Sequence, residues 1–296
     1  MTLPLHDPAW LERMYNNRAL VPDHPDYLQR WAQDSAHVRA NLPCMLDAAY
    51  GTEGGETLDI FPSVRASGPT GAPVPVLVFI HGGYWRALDK SDHSFIAPPF
   101  TQAGFCVVVV NYALCPGTPE APVTIPHILR QMEKALGWVW HNIAANGGDP
   151  KRITVAGHSA GGHLAAMLLT SVWSLIGKGL PDGLVRNALS ISGIHDLDPI
   201  MYTPMFQSVL HLTEQQVLQC SPARLLEPPT GQLYCVVGGD ESPEFRRQNQ
   251  LMQDAWGSHY VPRSQAFQGL HHFSVLDALT KPGHDLHHMA INLLRA

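Results

Sequence analysis

The chain has 296 residues, of which 45% are hydrophobic and only 15% charged, with a formal net charge of −6. That length and apolar content can bury a full core as one α/β unit, and the shortage of positive charge excludes a surface built for nucleic acid or an anionic membrane. Five cysteines, Cys44, Cys106, Cys115, Cys220 and Cys235, are odd in number and lack CxxC spacing, so they read as free thiols of a reducing, cytoplasmic setting.

The opening Met1-Thr2-Leu3-Pro4-Leu5-His6-Asp7 has neither the charged start nor the apolar stretch of a secretory signal, and no apolar run approaches the ~20 residues of a membrane span. Residues 1–43 are polar, aromatic and punctuated by proline, with helical patches around Trp10 to Tyr15 and Tyr27 to Ala32. They precede any strand and are expected to form an arm or lid on the core, residues 44–296, of a single domain. Trp10, Tyr15, Tyr27 and Trp31 need burial, either on the loops at the carboxyl edge of a sheet, on its far side, or against a second subunit in a homodimer.

Short strands are predicted near Cys44 to Tyr50 and Thr57 to Phe61, followed by a Pro/Gly/Ser loop from Pro62 to Pro75. The apolar run Val76 to Ile80 then leads straight into His81-Gly82-Gly83-Tyr84-Trp85. Val107 to Val110 is a continuous apolar run, as expected of a strand buried on both faces of a parallel sheet. The run Ile153 to Ala156 enters Gly157-His158-Ser159-Ala160-Gly161, and a helix-like stretch follows from Gly162 to Leu169. Farther on, Leu233 to Val237 ends in Gly238-Gly239-Asp240-Glu241, and a last strand at Ser264 to Phe267 precedes Gly269-Leu270-His271-His272-Phe273. Helices expected near 123–145, 160–176, 244–256 and 274–294 alternate with these strands, the doubly wound α/β pattern.

G-x-S-x-G between a strand and a helix presents a serine on a strained turn, which marks Ser159 as a nucleophile. Acyl transfer develops negative charge on an oxygen, and backbone N–H groups aimed at it are among the largest contributors to rate. Gly82 and Gly83 can turn their amides toward that point because no Cβ obstructs them, and Ala160 follows the nucleophile. In α/β-hydrolases the acid and the base come later in the chain, in that order. Asp240 or Glu241, and His271 or His272, satisfy this, and spacing alone does not choose within either pair. His284, His287 and His288 lie at helical spacing but have no nearby carboxylate or cysteine, so a solvated or half-buried helix face is expected rather than a metal site. Gly238-Gly239 is not followed by Lys-Ser/Thr, which removes a phosphate loop.

His81-Gly82-Gly83-Tyr84-Trp85, Gly157-His158-Ser159-Ala160-Gly161-Gly162-His163, Ser192-Gly193-Ile194-His195-Asp196-Leu197 and Ser242-Pro243-Glu244-Phe245-Arg246-Arg247-Gln248 together resemble the kynurenine formamidase (arylformamidase) family of serine hydrolases. The resemblance implies an α/β-hydrolase fold, a mostly parallel sheet flanked by helices. In that family the acid directly precedes Ser-Pro-Glu-Phe and the base directly precedes Phe, which selects Glu241 and His272. Animal members have Asp where this chain has Glu241. The implied substrate is a small aromatic amide, an N-formyl arylamine such as N-formylkynurenine, with no metal or organic cofactor. Tyr84, Trp85 and Tyr112 are expected to wall the leaving group, with Met201 to Phe206 as a cap. A carboxylesterase of short-acyl or aromatic esters is the first alternative, and a hydrolase-fold binding protein without turnover the second.

Overall fold

The computed structural model describes residues 3–65 and 72–296; Met1, Thr2 and the stretch 66–71 of the expected Pro/Gly/Ser loop lie outside them. Eight strands form one sheet: β1 Met45–Ala49, β2 Thr57–Phe61, β3 Val74–Ile80, β4 Cys106–Val110, β5 Gly148–His158, β6 Val185–Ile191, β7 Leu233–Gly238 and β8 Arg263–Phe267. Their order is β1-β2-β4-β3-β5-β6-β7-β8. The β1/β2 and β2/β4 pairs are antiparallel and every pair from β4 to β8 is parallel.

Side chains alternate across a strand, so β3 feeds two apolar layers at once. Val76, Val78 and Ile80 pack with Leu136, Val139 and Leu164 from the helices Ile125–Asn142 and Ala160–Thr170 on one face. Leu77 and Phe79 pack with Phe100, Leu276 and Ile291 on the other. Burial on both faces explains why β4 reads Cys-Val-Val-Val-Val with no polar alternation.

Two expected helices are each divided. The one starting at Ala160 ends at Thr170, because Ser171 is extended, and a short turn Trp173–Ile176 follows. The C-terminal one splits into Ser274–Thr280 and Asp285–Arg295. Pro282 cannot donate to a helical ladder and Gly283 sits at φ 93, a combination that stops one helix before another starts. His284 caps the second, accepting from the Leu286 N–H at 3.1 Å, and buried His287 places Nδ1 2.8 Å from Leu279 O. Among the described residues no cluster of three or more His, Cys, Asp or Glu could hold a metal ion, and no helix is long and apolar enough to cross a membrane.

The arm is three helices, Pro8–Tyr15, Asn17–Leu20 and His24–Asn41. Asp7 caps the first by accepting from Ala9 and Trp10 N–H, with Pro8 in the first turn. Leu11 and Tyr15 are fully buried and their helix packs on Pro243–Tyr260 and Pro204–Leu210; burial of Leu11 alone stabilises this docking by roughly 2 kcal/mol. The third helix buries Trp31, stacked on Phe95 at 5.5 Å, while Trp10 and Tyr27 stay half-buried. These contacts place the arm at the carboxyl ends of the parallel strands, where open α/β sheets bind ligands.

Candidate active site

β5 ends at His158, and the chain turns into the helix Ala160–Thr170 through Ser159 at φ 57, ψ −118. A non-glycine residue held there costs of order 1–3 kcal/mol, and the small neighbours make the turn possible. A Cβ on Gly157 would lie 2.1 Å from Gly161 O, and one on Gly161 would lie 2.0 Å from Ile80 O. The turn is pinned by Ser159 N–H donating to Ile191 O at 2.8 Å. Ser159 Oγ is buried and has no hydrogen-bond partner.

Beside it, β3 runs out at Ile80 into a turn with three successive residues at positive φ, Gly83 at 101, Tyr84 at 50 and Trp85 at 56. A Cβ on Gly82 would sit 2.9 Å from His158 O and 3.0 Å from Ser159 Cβ, so only glycine lets this backbone approach the serine so closely. The carbonyls of the turn are held away from the serine. Tyr112 Oη donates to His81 O and Gly82 O at 3.0 and 3.1 Å, and His81 Nδ1 lies 2.8 Å from Gly82 O. Asn111 Oδ1 lies 3.1 Å from His81 Nε2. Burial holds the His81 imidazole below its ordinary pKa, which favours the neutral ring. Among the turn, loop and cap hydrogen bonds of the described residues, none uses the N–H of Gly82, Gly83 or Ala160.

Glu241 and His272 meet at 2.7 Å between Oε2 and Nδ1, and both are buried. The other carboxylate oxygen, Oε1, accepts from Ser192 Oγ at 2.5 Å and from Gly238 N–H at 2.8 Å. Arg246 donates to Glu241 O at 2.6 Å and Gly239 O at 3.0 Å, clamping the turn. Asp240 faces the other way: its Oδ1 accepts from Gly269 N–H at 3.3 Å, and its N–H donates to Leu270 O. His271 is likewise turned aside, its Nδ1 accepting from Phe273 and Ser274 N–H while its ring meets Tyr27 edge-on. His158 places Nε2 2.8 Å from His272 O. Its own pKa lies well below the ordinary value, first through burial and then through the neighbouring His272, so it holds the loop as a neutral ring.

Ser159 and His272 line one cavity of ≈ 80 Å³. Of the three aromatic residues expected to wall it, only Tyr84 does. Trp85 is fully buried and meets His163 edge-on behind the turn, and Tyr112 is buried beneath it, stacked on His81 at 4.3 Å. Both are corrections with one cause: the positive-φ turn swings the Trp85 side chain inward, and a hydroxyl was needed under its carbonyls. The remaining wall comes from Met205 and Phe206 of the expected cap segment and from the arm, chiefly Tyr15, Leu28 and Trp31. Tyr84 joins the two, donating from Oη to Tyr15 O at 2.6 Å and stacking on Phe206 at 4.1 Å. Sequence reasoning assigns no site role to Arg246 or the hydroxyl of Ser192, although both lie in family-like segments, and gives Trp31 only a need for burial.

A mostly parallel eight-stranded sheet with a strained serine at the end of β5 and a buried carboxylate–imidazole pair after β7 and β8 defines an α/β-hydrolase. The kynurenine formamidase of Danio rerio is 30% identical over 264 residues, 87% of this chain and 84% of its own. The chain belongs to the kynurenine formamidase family, and the protein is a hydrolase. The BD-FAE family model matches residues 58–181, from β2 past the helix Ala160–Thr170. Esterase LipQ of Mycobacterium tuberculosis is 33% identical over 156 residues, 51% of this chain and 35% of its own. In crystal structures the chain resembles a proposed thioesterase of Silicibacter sp. TM1040, with a TM-score of 0.80 and 30% identity, covering 97% of this chain and 99% of the other.

Proposed function

We propose that the protein hydrolyses the N-formyl amide of an arylamine, N-formylkynurenine being the compound that family membership points to, through an acyl-enzyme on Ser159. The observation that carries this reading is the partnerless Ser159 hydroxyl in the same cavity as His272, whose Nδ1 is held behind the cavity by buried Glu241. In the proposed reaction Ser159 Oγ bonds to the formyl carbon while His272 takes its proton. The N–H groups of Gly82, Gly83 and Ala160 stabilise the oxyanion. Glu241 holds the imidazole in the tautomer whose Nε2 can accept, and stabilises the imidazolium. The C–N bond then breaks as His272 returns the proton to the aryl amine. Water, deprotonated by the same histidine, attacks the formyl ester, releasing formate and Ser159. Tyr84, Phe206 and Trp31 supply aromatic surface for the amine.

The second reading, a carboxylesterase of short-acyl or aromatic esters, is favoured by the likeness to esterase LipQ over half the chain. Steady-state kcat/KM on N-formylkynurenine, its N-acetyl counterpart and a panel of phenyl esters separates the two. Under the formamidase reading the N-formyl amide exceeds both. Ester turnover without amide turnover would replace it by the esterase reading, and binding without turnover of either class would leave a ligand-binding protein.

The arm is proposed to act as a fixed wall of this cavity. Removal of residues 1–43 is expected to change the ratio of kcat/KM for bulky against small acyl substrates, in protein that remains folded by circular dichroism. Trp31→Leu, which thins the same wall while keeping an apolar core contact, is expected to shift the ratio in the same direction. An unchanged ratio in both would take the arm out of substrate selection.

A further inference from the structure

Ser192 occupies the first position after β6 and is held at φ 52, in the left-handed region, although it is not glycine. Its N–H donates to Val236 O at 2.7 Å, fixing it between the ends of β6 and β7, and the side chain is fully buried. Gly193, which follows, has no room for a Cβ: one built there would lie 2.1 Å from Ser190 Oγ. A strained backbone at the carboxyl edge of the sheet persists where something over-determines it. Here the strain aims Ser192 Oγ at Glu241 Oε1, 2.5 Å away.

We infer that Ser192 is a positioning residue for the reaction, acting on the base through the acid. This rests on the proposed roles of Glu241 and His272. A carboxylate with no solvent access must find its hydrogen bonds in the protein. Glu241 has three donors on two oxygens: Ser192 Oγ and Gly238 N–H on Oε1, and His272 Nδ1 on Oε2. The two donors on Oε1 fix the plane of the carboxylate and leave Oε2 to the imidazole. A hydroxyl donated to a carboxylate also withdraws negative charge from it, which moderates how strongly the acid stabilises the imidazolium. The other ionisable or charged groups facing this pair are His158, packed on His272, Tyr84 across the cavity and Arg246 on the carbonyls of the turn. None of them reaches Oε1.

Ser192→Gly and Ser192→Ala test this, the first relieving the backbone strain and the second retaining it. Both are expected to lower kcat by about 10- to 100-fold, the scale of one hydrogen bond to a charged group, with KM changed far less. The acid limb of the kcat/KM profile is expected to move to higher pH, because the carboxylate keeps more charge for the imidazolium. In a Glu241→Gln background the Ser192→Gly effect should vanish, since nothing remains for the hydroxyl to orient. The inference is overturned if Ser192→Gly stays within about twofold of the wild type, on the same scale. An unmoved acid limb, or a loss that adds in full to that of Glu241→Gln, overturns it equally. A near-normal rate in Glu241→Gln alone would instead remove the triad reading beneath it.

Discussion

Ser159→Ala protein should fold as the wild type does and lose at least ~10⁴-fold in kcat, by analogy with other nucleophile knock-outs in triads. The fold survives because the hydroxyl makes no hydrogen bond, so its removal leaves no buried donor or acceptor behind. Alanine is no more strained than serine at φ 57. The rate falls because a water would have to attack unassisted by a held nucleophile, with only the amides of Gly82, Gly83 and Ala160 still in place. Purified variant retaining more than about a tenth of the rate, with the wild-type melting curve, would remove the covalent mechanism.

Glu241→Gln is expected to lower kcat by about 10³- to 10⁴-fold, whereas Asp240→Asn should leave it near the wild type. Adjacent carboxylates differ this much because of what surrounds each. Around Glu241 all three partners are donors, and an amide replaces one acceptor by an NH₂. If the NH₂ faces Ser192 and Gly238 it opposes two donors. Should it face His272, it favours the tautomer that puts the proton on Nε2, where Ser159 needs an acceptor. Asp240 accepts a single N–H, from Gly269, and an asparagine oxygen can accept it equally. Steady-state rates on both variants, with circular dichroism to show equal folding, decide it; a larger loss in Asp240→Asn would move the acid by one residue.

The local features of the site were legible because their chemistry is local. The glycine two residues before Ser159 is required by a backbone atom of the same turn, Gly161 O, 2.1 Å from where a Cβ would fall on Gly157, and the one two residues after it by Ile80 O at the end of β3. Gly83 is required by Ala87 O, four residues on, whereas Gly82 is required by His158 and Ser159 across the site and is legible only as part of a Gly pair after a strand. Strands such as Cys106–Val110 are legible because their unbroken apolar run follows from burial on both faces. The division of the last helix at Pro282-Gly283 was equally present in the residues, but the apolar spacing on either side read as continuous.

What the amino-acid order by itself determined was therefore the doubly wound sheet, the strained serine and the glycine turn beside it. Each shows in the sequence as a hydrophobic period or a short motif, although the contacts that require Gly161 and Gly82 cross between the ends of β3 and β5. Choosing Glu241 over Asp240 and His272 over His271 needed family resemblance, since neighbouring residues differ only in the direction their side chains take. Tertiary structure alone decided that Tyr112 and Trp85 face the interior while Tyr84 faces the cavity. It alone brought Trp31 and Tyr15 of the arm onto the wall, and Ser192 onto a carboxylate 49 residues away. These are meetings between elements distant in the chain, set by how the helices dock and where the strands of the sheet end, and no local pattern encodes them.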